Sequence, residues 1–222
     1  GTWQVTADSD VVNTLQRGID LGMNHIDTAE LYSGAEELVA EAIKGRRDDV
    51  YLVSKVMPQN ASRIGTVAAC ESSLRRLGTD YLDCYLLHWY DGEHSMEETM
   101  SGMRDLVAAG KIRSVGVSNF DVAEMESARA ALGDIPLACN QVIYHLGQRA
   151  IEPEVVPWCE ANDVAVVGYS PFACGAFYEP GTPEWSALSE VGERHGRSVR
   201  QVTLSFLTRG PSMFAIPKAS SV

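Results

Sequence analysis

At 222 residues, with 45% hydrophobic and 22% charged residues, the chain has the profile of a globular protein with room for one large α/β domain or two small ones. A formal charge of −12 works against nucleic acid and anionic lipid as partners, and no apolar run reaches the ~18 residues that a membrane span needs. The five cysteines, Cys70, Cys84, Cys139, Cys159 and Cys174, are scattered and never form a CxxC pair, so buried free thiols in a reducing cytoplasm are expected rather than a disulfide or zinc framework.

In chain order, a helical stretch over 11–22 comes first. A short apolar run over 25–29 then precedes a helical stretch over 35–45. The same pairing recurs as 50–55 with 63–78, 82–89 with 96–110, 112–119 with 122–133, and 137–142 with 152–163. The run over 164–170 leads through a long loop to helical stretches over 184–196 and 199–210, and 214–219 closes the chain. Gly45, Gly78, Gly110 and Gly133 sit at or just past helical ends, where a left-handed residue is wanted, and Asp121 is placed as an N-cap. Alternation of apolar strands with helices predicts a parallel sheet covered by helices. Seven strands are visible, and an eighth ending at residues 1–3 completes the count of a (β/α)8 barrel. A doubly wound sheet is the alternative, but no GxGxxG follows a first strand.

In such a barrel, function gathers at the C-terminal strand ends. Those positions carry Asp27 with Tyr32 in the following loop, Lys55, His88 with Trp89, Ser118–Asn119, Asn140–Gln141, Tyr169–Ser170 and Lys218. Singly, each has an ordinary structural explanation: a capping aspartate, a rim aromatic, a solvated lysine, a core histidine, a turn. Together, four ionisable groups from three successive strand ends converge on one mouth. A tyrosine, with a reference pKa of about 10, is a poor acid near neutrality until an adjacent ammonium stabilises its phenolate. Asp27 is placed to hold Lys55, and His88 to orient a carbonyl oxygen. Such a set suits protonation of a carbonyl oxygen while its carbon receives a hydride, which an external cofactor must supply.

The motifs "GTW", "IDTAELY", "LVSKV", "DCYLLHW", "GKIRSVGVSNF", "NQVIY", "GYSP" and "IPKASS" resemble, in order and over essentially the whole chain, those of the aldo-keto reductases. The resemblance implies a single (β/α)8 TIM-barrel domain over 1–222 and an NADPH-dependent reductase of aldehydes and ketones. It implies a tetrad of Asp27, Tyr32, Lys55 and His88, with Tyr32 as the general acid. It implies cofactor contacts from Gly1, Thr2, Trp3 and Asp27, with Ser118, Asn119 and Gln141 on the nicotinamide carboxamide. Tyr169 is implied to stack on the nicotinamide ring, and Ser170, Pro171 and Phe172 to begin the loop over the pyrophosphate. Lys218 matches the position that pairs with the adenosine 2′-phosphate, which favours NADPH over NADH.

Trp3, Tyr32, His88 and Trp89 are expected at the substrate, with Tyr144 and Phe177 or Tyr178 as further lining. His25, His94, His145 and His195 read as structural or solvated, and no metal site is expected. The family opens with a hairpin running into strand one and closes with a further helix and loop. Neither has a counterpart in this chain, so the expectation is a barrel truncated at both ends that is weakly stable and poorly active by itself. A non-catalytic, cofactor-binding regulatory subunit of the same fold is the alternative function. The family resemblance further implies a monomer.

Overall fold

The computed structural model describes residues 1–5 and 9–219. They divide into two compact units, Gly1–Asn140 with Lys218–Val222, and Gln141–Pro217.

In the first unit, α1 (Ser9–Asp20) leads to β1 (His25–Asp27), α2 (Ala35–Ala42), β2 (Tyr51–Val56), α3 (Arg63–Leu77), β3 (Cys84–Leu87), α4 (Met96–Ala108), β4 (Val115–Ser118), α5 (Val122–Leu132) and β5 (Leu137–Ile143), on which the chain crosses to the second unit. The strands lie side by side in chain order. Their parallel register pairs Asp27 with Val53, Lys55 with Leu86, and Leu87 with Val117. All four residues of β3 and of β4 are buried, as a parallel sheet covered on both faces requires.

The helices start and stop where their own side chains supply the missing hydrogen bonds. Ser62 caps α3, and Ser95 with Glu98 and Asp121 with Glu124 form capping boxes on α4 and α5. Gly78 closes α3 at φ 62°, whereas Gly133 ends α5 at φ 64° and ψ −121°, outside the left-handed helical basin. Two further glycines allow close approach. A Cβ on Gly102 would lie 2.7 Å from the Arg63 carbonyl oxygen, so α4 packs directly on the start of α3. One on Gly116 would lie 2.7 Å from Cys139 Sγ, so β4 leaves room inside the sheet for side chains from β3 and β5.

Below the strands, Asp83 accepts from the Leu52 N–H at 2.9 Å, Arg47 at 2.8 Å and Arg113 at 2.9 Å. Both guanidinium groups lie 3.9 Å from the Tyr81 ring centroid. This ties the starts of β2 and β3 together with charge-assisted bonds that keep the buried carboxylate satisfied.

The second unit holds α6 (Val155–Ala161), β6 (Ala165–Tyr169), α7 (Pro183–His195), α8 (Val199–Leu207) and β7 (Met213–Ala215), with β6 and β7 parallel and Gly168 opposite Ala215. Thr182 caps α7 with Pro183 at its first turn, and Ser198 with Gln201 forms a capping box on α8.

Three expectations need correction. Residues 1–5 form no strand; Thr2 donates, through its N–H and its hydroxyl, to the Asp27 carbonyl at 3.1 and 3.0 Å. The helix expected over 152–163 is shorter, because the Glu152 N–H turns back to the Arg149 carbonyl at 3.1 Å and Pro153 brings no N–H. The cysteines are free, but only Cys70, Cys84 and Cys159 are buried, while Cys139 is partly covered and Cys174 is exposed in the loop after β6.

Candidate active site

The first unit brings Asp27, Tyr32, Lys55 and His88 together at the C-terminal ends of β1, β2 and β3. Lys55 is fully buried, and its Nζ donates to Asp27 Oδ2 and to the Thr28 carbonyl, both at 2.8 Å. Asp27 is 2% exposed, so the ion pair lies away from water. A pair in that position pays a large desolvation penalty and is weak evidence for stability. A role at the mouth above it is the better explanation.

Tyr32 stands in the turn between β1 and α2. Its N–H donates to the Ala29 carbonyl at 3.0 Å, its carbonyl accepts from Ala35 at 2.9 Å, and Gly34 at φ 73° turns the chain into the helix. The turn carries the half-buried ring over Lys55, whose Nζ is 5.2 Å from the ring centroid. His88 follows β3 directly and is held by its N–H on the Val56 carbonyl at 2.9 Å. Ring centroids step from Trp3 to Tyr32 at 5.1 Å, from Tyr32 to His88 at 5.7 Å, and from His88 to Trp89 at 5.0 Å. Trp3 is 48% exposed, at the open end of this row. The set therefore offers a phenol beside an ammonium, an imidazole at its edge, and apolar walls.

Burial, then the nearby Lys55 ammonium, pushes the His88 pKa down to about 4. The imidazole is neutral at pH 7 and acts as a hydrogen-bond partner rather than a cation. Its depressed pKa carries a stability consequence. Above the ordinary histidine value of about 6.5 neither state is protonated, and between there and about 4 the unfolded chain takes a proton that the folded chain refuses. Stability is therefore lost as pH falls through that window. From pH 7 to pH 5 the native protein is expected to lose about 2 kcal/mol more than a His88→Gln variant, by urea unfolding. Equal losses in the two proteins would show that His88 takes its proton normally.

Other expected residues fall as follows. Ser118, 1% exposed, ends β4, and Asn119 follows at φ 64°, its amide donating to the His88 carbonyl and to Ser118 Oγ at 3.2 Å each. Gly1 is partly covered and Thr2 buried against Asp27. Lys218 is exposed, with Nζ donating to the Gln4 carbonyl at 3.1 Å. In the second unit, Gln141 is buried in β5, and Tyr169 is half-buried at the end of β6, where burial raises its phenol pKa. Ser170, Ala173 and Cys174 all take positive φ, near 53°, in the loop that follows. Pro171 is buried there, and Phe172 packs edge-on against Phe177 at 5.3 Å.

Tyr144 does not line a mouth. It is 1% exposed, with its hydroxyl donating to Glu152. The Thr28 carbonyl on Lys55 escaped the sequence reading, since a backbone acceptor leaves no side-chain signature. Among the described residues, no group of three or more His, Cys, Asp or Glu is placed to hold a metal ion, and no helix is long and apolar enough to cross a membrane.

Comparison with known proteins gives this geometry its context. The aldo/keto reductase family matches residues 1–222. The chain is 44% identical over 228 residues to methylglyoxal reductase YeaE of Escherichia coli (strain K12), covering 100% of this chain and 80% of that protein. It is 32% identical over 223 residues to the glyoxal reductase of Bacillus subtilis (strain 168), covering 99% and 76%. Among solved structures, an aldo/keto reductase from Klebsiella pneumoniae in complex with NADP and acetate superposes with a TM-score of 0.90 at 43% identity, over 100% of this chain and 80% of that one. One from the same organism in complex with NADPH gives 0.91 at 44%, with the same coverage. The chain belongs to the aldo/keto reductase family: it is an NADP-dependent oxidoreductase of the family's (β/α)8 fold that reduces carbonyl groups to alcohols.

Proposed function

We propose that the protein reduces small 2-oxoaldehydes of the methylglyoxal type, with Tyr32 as the proton donor. The carrying observation is the buried Lys55–Asp27 pair beneath the Tyr32 ring, with His88 at the ring's edge. Each unit carries residues that suit part of a nicotinamide cofactor. A carboxamide needs a donor and an acceptor; the Ser118 hydroxyl and the Asn119 amide offer both in the first unit, and the Gln141 amide does in the second. Tyr169 offers a half-buried ring face, and Lys218 an exposed cation suited to a 2′-phosphate. When bound, the cofactor supplies the hydride.

The chain's own side chains manage the oxygen. His88, neutral at pH 7, orients the carbonyl, Tyr32 gives it a proton, and Lys55 steadies the negative charge left on the phenol. Asp27 keeps Lys55 in place and balances its charge. Trp3 and Trp89 supply flat, uncharged walls for a small planar dicarbonyl. The names of two relatives, a methylglyoxal reductase and a glyoxal reductase, support this substrate class. Five free thiols support a reducing cytoplasm, and a single family match across residues 1–222 supports one domain. The family resemblance supports a working monomer.

The test follows nicotinamide absorbance with NADPH and, separately, NADH, against methylglyoxal, glyoxal and a bulky aromatic aldehyde. The expected result is NADPH oxidation fastest with the 2-oxoaldehydes. Preference for the bulky aldehyde would reject the substrate class. NADPH binding without oxidation by any carbonyl would favour the regulatory alternative.

A further inference from the structure

The second unit contains a polar network outside the groups assigned above, running from a buried tyrosine to exposed arginines. Tyr144, the residue after β5, is buried, and its hydroxyl donates to the Glu152 carboxylate and accepts from Arg209 Nη1 at 2.8 Å. Glu152 also accepts from Arg209 Nη2 at 2.8 Å and from Arg149 at 3.0 and 2.7 Å. Both guanidinium groups lie over the Phe206 ring, at 5.1 and 4.0 Å. Arg149 first, and then Tyr144, holds the Glu152 pKa down near 2, so the acid is ionised throughout the working range.

The other side of Tyr144 meets β6. Its N–H donates to the Tyr169 carbonyl at 3.2 Å, and a Cβ on the neighbouring Gly168 would come within 3.2 Å of Tyr144 Cβ. Gly168 is itself fixed by the Ile216 N–H on its carbonyl at 3.1 Å. Tyr144 is thus clamped at its hydroxyl by Glu152 and at its backbone by the residue that carries the Tyr169 ring.

We propose that Glu152, acting through Tyr144, is a positioning residue that sets the height and tilt of the Tyr169 ring on which the nicotinamide rests. This builds on the reading of Tyr169 as the stacking residue. The network reaches Tyr169 through the Tyr144 backbone, so its expected effect is on cofactor placement. A small misplacement of the nicotinamide from a change this remote can slow hydride transfer by up to about 100-fold.

The test measures NADPH affinity by quenching of protein fluorescence, together with the single-turnover rate, in Glu152→Gln, Glu152→Asp, Tyr144→Phe, Tyr169→Ala and the Glu152→Gln/Tyr169→Ala pair. Tyr144→Phe keeps the ring and removes only the hydroxyl, so it stands in if the charge change unfolds the protein. The expected result is weaker NADPH binding in Glu152→Gln, Tyr144→Phe and Tyr169→Ala, partial recovery in Glu152→Asp, and a double variant no worse than Tyr169→Ala alone. If Tyr169→Ala weakens binding while Tyr144→Phe and a folded Glu152→Gln do not, the positioning role is overturned. Additive losses in the double variant would overturn it too, since Glu152 would then act independently of Tyr169. If Tyr169→Ala itself leaves NADPH affinity unchanged, the stacking assignment falls, and the positioning role falls with it.

Discussion

Tyr32→Phe should bind NADPH as the native protein does and lose turnover by about 10²- to 10⁴-fold, the usual contribution of a placed general acid. The Tyr32 ring makes contacts that a phenylalanine can keep. It packs edge-on against Trp3 and His88 and lies over Lys55, and phenylalanine preserves each of those contacts. Only the hydroxyl is lost, from a half-buried position on a turn. Stability should therefore change by no more than about 0.5 kcal/mol, as for most substitutions near the surface. Steady-state kinetics with methylglyoxal, NADPH titration and a thermal melt check the three parts of the expectation. Native turnover in a folded Tyr32→Phe protein would remove Tyr32 from the proton step.

Lys55→Met should fail in two ways, and the two can be separated. Methionine fills much the same volume but leaves the Asp27 carboxylate, 2% exposed, without its ammonium. Removing one partner of a buried ion pair destabilises by about 3–5 kcal/mol, because the remaining charge is uncompensated. The Asp27→Asn/Lys55→Met double variant removes that charge and should recover most of the stability. Activity should not return, since the cation beside Tyr32 is still absent. Urea unfolding of the single and double variants, with turnover of each, reads both effects. A double variant as unstable as the single one would show that the loss comes from packing rather than charge. Turnover in the double variant near that of the native protein would show that Lys55 has no part in the chemistry.

Much of this site was legible because its residues break the patterns around them. Lys55 sits in a six-residue strand whose other members are apolar or small, and burial of such a lysine demands a partner. Asp27 ends an apolar run one strand away, and the parallel register that sequence alternation implies makes the two neighbours. His88 and Trp89 close the third run, so three consecutive strand ends point to one mouth. Asp121 and the glycines at helix ends were legible for a similar reason, because their side chains, or lack of them, solve a local backbone problem.

What the sequence hid depends on groups without such marks. The Thr28 carbonyl on Lys55 is backbone. Residues 1–3 carry a strand-like motif, yet they form no strand beside β1, since pairing depends on neighbours that a local pattern does not describe. Tyr144 looked like a mouth aromatic because an aromatic after a strand fits both a rim and a core. Its burial is decided by Glu152 and Arg209, 8 and 65 residues further along the chain. Cys174 matches the buried thiols in composition, but the positive-φ loop after β6 turns it to the surface.

The central claim is that a proton reaches the carbonyl oxygen from Tyr32 as the hydride reaches the carbon. It is tested most directly by single-turnover decay of nicotinamide absorbance on mixing NADPH-loaded protein with saturating methylglyoxal, in H2O and in D2O, with ordinary and 4-deuterated cofactor. The account predicts that D2O and deuterated cofactor each slow the same step. A step slowed by the deuterated cofactor but running equally fast in H2O and D2O would contradict it, because no proton would then be moving with the hydride.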